Sequence, residues 1–445
     1  MARASASKAA RAVGLAAVGV LVFSLGACDW FDKKKAPLPG ERISVLVHSR
    51  TLKPDPGAAP DIVLPAPAPN RDWPQAGGYP NHAMHHLLVN DQLKRVWKTD
   101  IGSGASDYER LVGSPVIAGG RIFAADAENR ISAYDVKDGS RIWRQNVTPK
   151  REDSGHIVGG LAFYRDRIYV SAGFAQVIAL DAKDGKEVWR QPIPGPMRTA
   201  PTAHGGRIFV VTVDNQVFAL DSETGKALWT YAGIAETASI LGGGSPAVDG
   251  GVLVVPFSSG ELVALRVENG RLLWSDSLAT ARRTDQVSTL SHIRGRPIID
   301  RGRVFAMSHG GIMVSIDLRS GRRVWDREIG GLESPWVAGD YLFALTSEAE
   351  IACLNRADGR ILWVQELPRF SDEKKKKGPI VWTGPILASD RLIVGGSHGQ
   401  ALAVSPYSGQ IIGREEMPDG VAVAPVVADG SVYFLANDAD LVAYR

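Results

Sequence analysis

The segment Ala179 to Gln191, ALDAKDGKEVWRQ, reads as a strand, a tight turn holding Gly185, and a second strand carrying Trp189. A glycine four residues ahead of the tryptophan suits a short hairpin whose turn passes through the left-handed region, where a side chain would clash. The phrase returns as ALDSETGKALWT at 219–230, and such turns line up seven times: KDGSRIWR (137), KDGKEVWR (183), ETGKALWT (223), ENGRLLWS (268), RSGRRVWD (319), ADGRILWV (357) and YSGQIIGR (407). Their tryptophans are Trp143, Trp189, Trp229, Trp274, Trp325 and Trp363, with Gly413 standing in the seventh. Trp97, in KRVWK, adds an eighth outer strand without the turn. From Trp97 to Gly413 there are seven intervals of about 45 residues each, a period typical of repeat architectures.

One unit shows the pattern. In APTAHGGRIFVVTVDNQVFALDSETGKALWTYAG (200–233) a proline opens a short strand, and the GG, DNQ and SETGK turns separate three more. The result is a four-stranded antiparallel meander. The leading proline is tolerated because the first residue of a strand need not donate a ladder hydrogen bond. It recurs at Pro115, Pro201, Pro246, Pro297, Pro335, Pro385 and Pro425, while the second unit has GGLAF instead. Repeated all-β units of this size predict an eight-bladed β-propeller over residues 73–445, whose radial closure hides most strand edges. The last unit, APVVADGSVYFLANDADLVAYR, holds only three strands. The strand around Trp97 is expected to complete it and close the ring. Each tryptophan is expected to pack between neighbouring blades, because a binding platform would not recur regularly in every unit.

The pattern Ala/Tyr-x-Leu-Asp-x-x-[Asp/Thr]-Gly-x-x-x-Trp resembles the tryptophan-docking motif of pyrroloquinoline-quinone-like propellers. WD40 units lack this glycine turn, and kelch units are longer and open on paired glycines. Within that superfamily the quinoprotein alcohol dehydrogenases resemble the chain in fold. They hold their quinone over a disulfide between adjacent cysteines, with calcium on a carboxylate and an amide. Only Cys28 and Cys353 occur here, so the cysteine pair cannot form, and no Cys-x-x-Cys-His haem motif is present. Cys353, in the apolar run EIACLN, reads as an inert core thiol.

The N-terminus stands apart. Lys8 and Arg11 precede the apolar run AVGLAAVGVLVFSL (12–25), which is too short to span a bilayer, so residues 1–27 read as a secretory signal. The run ends in LGAC, similar to the bacterial lipobox, which implies cleavage before Cys28 and a lipid on its thiol. Residues 28–72 follow as a charged and then Pro/Ala-rich tether, KPDPGAAPDIVLPAPAP, expected to be extended. Three of the 51 basic residues, Arg3, Lys8 and Arg11, lie in the signal, leaving 48 to balance 48 acidic ones. That balance argues against nucleic acid as a partner.

Lipobox, tether and eight tryptophan-docking blades without cofactor apparatus resemble the BamB family of the outer-membrane β-barrel assembly machinery. The resemblance implies a non-catalytic scaffold without cofactor or metal, lipid-anchored at the outer membrane and facing the periplasm. Its partners would be the POTRA domains of BamA, the Bam complex and unfolded outer-membrane protein clients, held by exposed loops or strand edges. Two partner loops carry over by position. TASILGGGSP keeps Ile240 and Leu241 but has glycines where an arginine is expected. TARRTDQVSTLSHIRGRP offers Asp285 with Arg282, Arg283 and Arg294, where the family pairs aspartates. Asp29 departs from the pattern, since in enterobacteria it directs retention in the inner membrane. Two other readings stay open: a quinone-dependent periplasmic dehydrogenase, and a propeller lipoprotein binding envelope polysaccharide.

The remaining clusters read as surface. NHAMHH brings His82, His85 and His86 together without matching thiols or carboxylates, and reads as a solvated loop. DEKKKKG (372–378) reads as a solvated charge run, and the glycines at 242–244 lack the following helix of a phosphate loop.

Overall fold

A computed structural model describes residues 52–57, 61–150, 157–236, 240–279 and 291–445. The signal, Cys28, Asp29, Arg282, Arg283 and Asp285 lie outside the described residues. Contiguous blades account for most of the rest. Among the described residues eight sheets have four antiparallel strands each, and one further hairpin pairs Phe370–Asp372 with Lys377–Pro379. The first blade runs Val116–Ala118, Arg121–Ala125, Arg130–Asp135 and Arg141–Asn146, from the channel outward. The eighth takes three strands from Val426–Ala428, Ser431–Leu435 and Asp440–Tyr444, and its outermost strand is Arg95–Asp100 from the other end of the chain.

A bulge recurs in the outer strand of every blade. In the second, Ala179 faces Trp189 and Leu180 faces Glu187, so Val188 is the extra residue; it is left exposed while the strand bends and turns its tryptophan inward. Opposite each tryptophan sits a small residue: Ala443, Ala133, Ala179, Ala219, Ala264, Ser315 or Cys353. Cys353 is thus one more small filler, fully buried, with burial pushing its thiol pKa up.

The tryptophans dock forward onto the next blade. Trp143 Nε1 donates to Ala182 O at 3.0 Å, and a Cβ placed on Gly185 would lie 2.5 Å from the indole. The same pairing joins Trp189 to Ser222 O and Gly225, Trp229 to Val267 O and Gly270, Trp274 to Leu318 O and Gly321, Trp325 to Arg356 O and Gly359, and Trp363 to Pro406 O and Gly409. Trp97, in the eighth blade, docks on Val136 O and Gly139 of the first. The glycine of each repeat therefore exists to receive the previous blade's tryptophan. Gly413 falls in the seventh blade, whose neighbour has no such turn because its outer strand comes from the N-terminal side. The motif is missing where there is nothing for it to enter.

The segment ahead of Trp97 departs from expectation. Ile62, Asn70, His82 and His86 are buried. Residues 70–89 form a girdle that visits the innermost strand of all eight blades in ring order. Asn70 O accepts from Asp429 N, Trp73 exchanges bonds with Ile117, Pro74 O accepts from Phe163 N, and the Gln75 side chain exchanges bonds with Ala203. Pro80 O then takes Val248 N, Asn81 O takes Ile299 N, His85 O takes the Trp336 indole, and Leu87 bonds Leu387 and Ser389. The circuit closes on itself where Ala68 bridges Leu87. Inner strand edges carry backbone groups that need partners, and the girdle supplies them. The histidines read as solvated are part of it: His86 Nδ1 meets Pro65 O at 2.7 Å, and His82 Nδ1 donates to Pro297 O at 2.8 Å.

Candidate functional site

The girdle lines the channel where the innermost strands end. Where they begin, the loops that connect blades form a funnel of about 60 Å³, lined from all eight blades. Most of its wall is small. The residue before the leading proline is Ser114, Ala200, Ser245, Ser334, Gly384 or Ala424 in six blades, and Arg296 in one. The second blade, which lacks the proline, lines the funnel with Gly159. Small residues are required because the loops crowd together: a Cβ on Gly244 would lie 2.7 Å from Gly295 O, and one on Gly295 2.5 Å from Glu333 O.

Three of the expected partner residues meet on one side of this mouth. Ile240 and Leu241 rise from the loop before the fourth blade, Leu241 being exposed. Ile240 N–H donates to His292 Nδ1 at 3.1 Å, which ties that loop to the one before the fifth blade. Arg294, two residues on, packs against Gly242 and donates from Nη1 to Glu333 Oε1 at 3.1 Å. Glu333 Oε2 accepts from Gly384 N at 3.3 Å. One carboxylate thus links the loops of three blades. Arg282, Arg283 and Asp285 fall outside the described residues; among the described residues of the second partner loop, His292, Arg294 and Arg296 reach this mouth. The seven tryptophans all lie on outer strands and take no part.

Sequence reading missed His292, Glu333 and Arg296. His292 and Glu333 carry no local signal, since their roles arise from loops that meet only in the ring. Arg296 had one: it is the large residue in a series of small ones ahead of the prolines.

His292 is buried, and burial together with Arg294 and His309 lowers its pKa to about 4. It is neutral at pH 7, with its proton on Nε2 because Nδ1 accepts from Ile240. His82 is lowered to about 3, first by burial and then by Arg296. In the unfolded chain both take up a proton near pH 6.5, so their contribution is present above that pH and is lost as pH falls toward the folded values. Going from pH 7 to pH 5 should cost about 2 kcal/mol per histidine. Urea unfolding at the two pH values checks this, and His292→Asn should remove about half of the difference. A midpoint that does not move between pH 7 and pH 5 would exclude it.

No group of His, Cys, Asp and Glu among the described residues is placed to hold a metal ion. The basic run 374–377 lies in and beside the exposed hairpin of the seventh blade's loop, away from the mouth's arginines in sequence and in its wholly exposed character.

The family model and the curated relatives carry one name. The family model described as outer membrane protein assembly factor BamB matches residues 90–153 and 127–365, more than half of the chain. The proteins of that name from Shigella dysenteriae and Yersinia pestis are 28% identical over 201 and over 356 residues. The first alignment covers 45% of this chain and 49% of that protein, the second 79% and 88%. For the first of these relatives, then, the chain spans about half their length. The crystal structure of BamB from Moraxella catarrhalis superposes with a TM-score of 0.68 at 19% identity, covering 80% of this chain and 100% of that one. That likeness bears on the fold.

Proposed function

Because the chain belongs to the family of outer membrane protein assembly factor BamB, we propose that it is a non-catalytic scaffold of the machinery that assembles β-barrel proteins into the outer membrane. In this reading a lipid on Cys28 anchors it to the outer membrane, the propeller faces the periplasm, and it binds the POTRA domains of BamA while assisting delivery of unfolded outer-membrane proteins. The observation that supports the contact face is the meeting of Ile240, Leu241 and Arg294 at one mouth of the ring, tied by His292 and Glu333.

The physical role follows from rigidity. A ring whose blades lock through indoles and a girdle holds three loops in fixed relation, so binding costs little ordering entropy at the interface. Leu241 supplies an apolar anchor and Arg294 a partly exposed charge beside it, the composition found at the centres of interfaces. Work of this kind is alignment and retention, without bond chemistry.

The test is Ile240→Asp with Leu241→Asp in the full-length lipoprotein, purified from gently solubilised envelopes. Two charges in an apolar contact should weaken capture of the POTRA-bearing barrel protein by at least about tenfold, with the thermal midpoint unchanged because both side chains are partly exposed. Undiminished capture would remove this loop from the contact face.

A further inference from the structure

The funnel holds a cation, Arg296, that is bonded to no acid among the described residues. Arg296 lies between the 60 Å³ funnel and an inner cavity of about 20 Å³ that it shares with Trp73, His82, Trp336 and Glu333. Its Nε is buried without a hydrogen-bond partner, and its guanidinium makes no hydrogen bond or ion pair among the described residues. Glu333, the one acid in the lining, already pairs with Arg294 and accepts from Gly384. Arg198, exposed at the same mouth, also has no carboxylate partner among the described residues. Three arginines therefore face one glutamate across a space a few atoms wide.

Leaving a partly buried charge without a bonded acid is unfavourable, and the other blades place no charge here. The six equivalent positions are Ser, Ala or Gly, so a small residue would fill this one as well. Burial also disfavours the charged form of Arg296, with Glu333 opposing that effect only in part, yet a guanidinium does not give up its proton in a protein. What a converging set of donors without acceptors accommodates is an oxyanion, and the guanidinium fork matches a carboxylate or phosphate better than a spherical ion.

We propose that the funnel is a binding site for a single compact oxyanion, a carboxylate or phosphate, held by Arg296 at its base and Arg198 at its rim. The volume admits one such group and little more. Either a free small anion or the terminal carboxylate of a polypeptide would enter it, from the side opposite the girdle. The inference rests on the ring geometry and not on the assembly-factor reading.

Thermal unfolding of the full-length protein tests it. Sodium phosphate, sodium acetate and N-acetyl-diglycine are titrated against sodium chloride at constant ionic strength. An anion that occupies the folded state alone raises Tm by about 2 °C at tenfold excess over its Kd. The rise is expected for at least one of these probes in the native chain, reduced in Arg198→Ala and absent in Arg296→Met. Stabilisation by N-acetyl-diglycine but not by its C-terminal amide identifies a chain terminus as the source, and stabilisation by phosphate alone identifies a free ion. Equal shifts in native and Arg296→Met protein, or no shift with any of the three probes, overturn the proposal. If Arg296→Met does not fold, the Arg198→Ala titration and an Arg296→Lys variant, which keeps the charge and loses the fork, decide it on the same readout.

Discussion

Deleting residues 61–89 while keeping the outer strand at 95–100 is expected to remove most of the stability of the ring. The segment bonds every blade, seven through backbone groups at the inner edge and the sixth through the Trp336 indole, and in its absence those groups turn to water in an opened channel. Each exchange costs about 0.5–1.5 kcal/mol, so eight blades lose roughly 4–12 kcal/mol. Whole domains are stable by only about 5–15 kcal/mol. The burial of Trp73, which stacks on Trp336 at 6.3 Å, and of Leu87 is lost as well. Urea unfolding followed by circular dichroism should therefore show a much earlier or broadened transition. A midpoint equal to that of the intact chain would mean that the indole contacts alone hold the ring and that the girdle is laid on a structure already closed.

The second large effect lies at the indole lock. Trp143→Ala removes a buried ring that is tilted against Phe123 at 5.9 Å, bonded to Ala182 O and pressed against Gly185. A cost of about 3–5 kcal/mol is expected. Gly185→Ala attacks the same contact from the other blade: its methyl would sit 2.5 Å from the indole, on a backbone with φ of +75°. In the native background it should cost more than the strain of a left-handed alanine. With Trp143 already removed, only that strain, about 1 kcal/mol, remains. The double-mutant cycle should thus return a coupling of about 2 kcal/mol. Strict additivity would show that the two residues do not share a lock.

How much of this could be read from the sequence depends on where each signal is written. Blade number, strand order and the donor of the eighth blade's outer strand follow from Gly-x-x-x-Trp spacing and an incomplete last unit, because hairpin chemistry is local. The direction of docking is not local. Nothing in KDGKEVW says that Gly185 receives Trp143 rather than its own Trp189, and only the ring shows it. The girdle is harder still. Residues 70–89 carry neither helical nor strand periodicity, since they bury backbone groups against eight different edges and place each side chain in a different setting. A Pro-rich approach and three histidines suggested solvent; His82 and His86 are instead buried, held by the carbonyls of Pro297 and Pro65. At the mouth, Ile240, Leu241 and Arg294 are expected from family position, and the structure shows only that they lie together. Arg296 escaped because its meaning is comparative: it matters for being unlike Ser114, Ser245 and Ser334.

The girdle also fixes an order of events. Its residues leave the ribosome before any blade, yet their partners run from Ile117 to Asp429, and the strand that follows them pairs with Asp440–Tyr444. Single blades can form as their own hairpins emerge, since those contacts are close in sequence. The circuit through the channel cannot be drawn tight until the last blade exists, and it must then be laid against edges that already face one another. A folding intermediate with eight formed sheets and an unthreaded leading segment is the species this topology implies. Its signature would be a slow final step, sensed by Trp73 fluorescence after the far-ultraviolet signal has reached its native value, and lengthened by anything that holds residues 61–89 away from the ring.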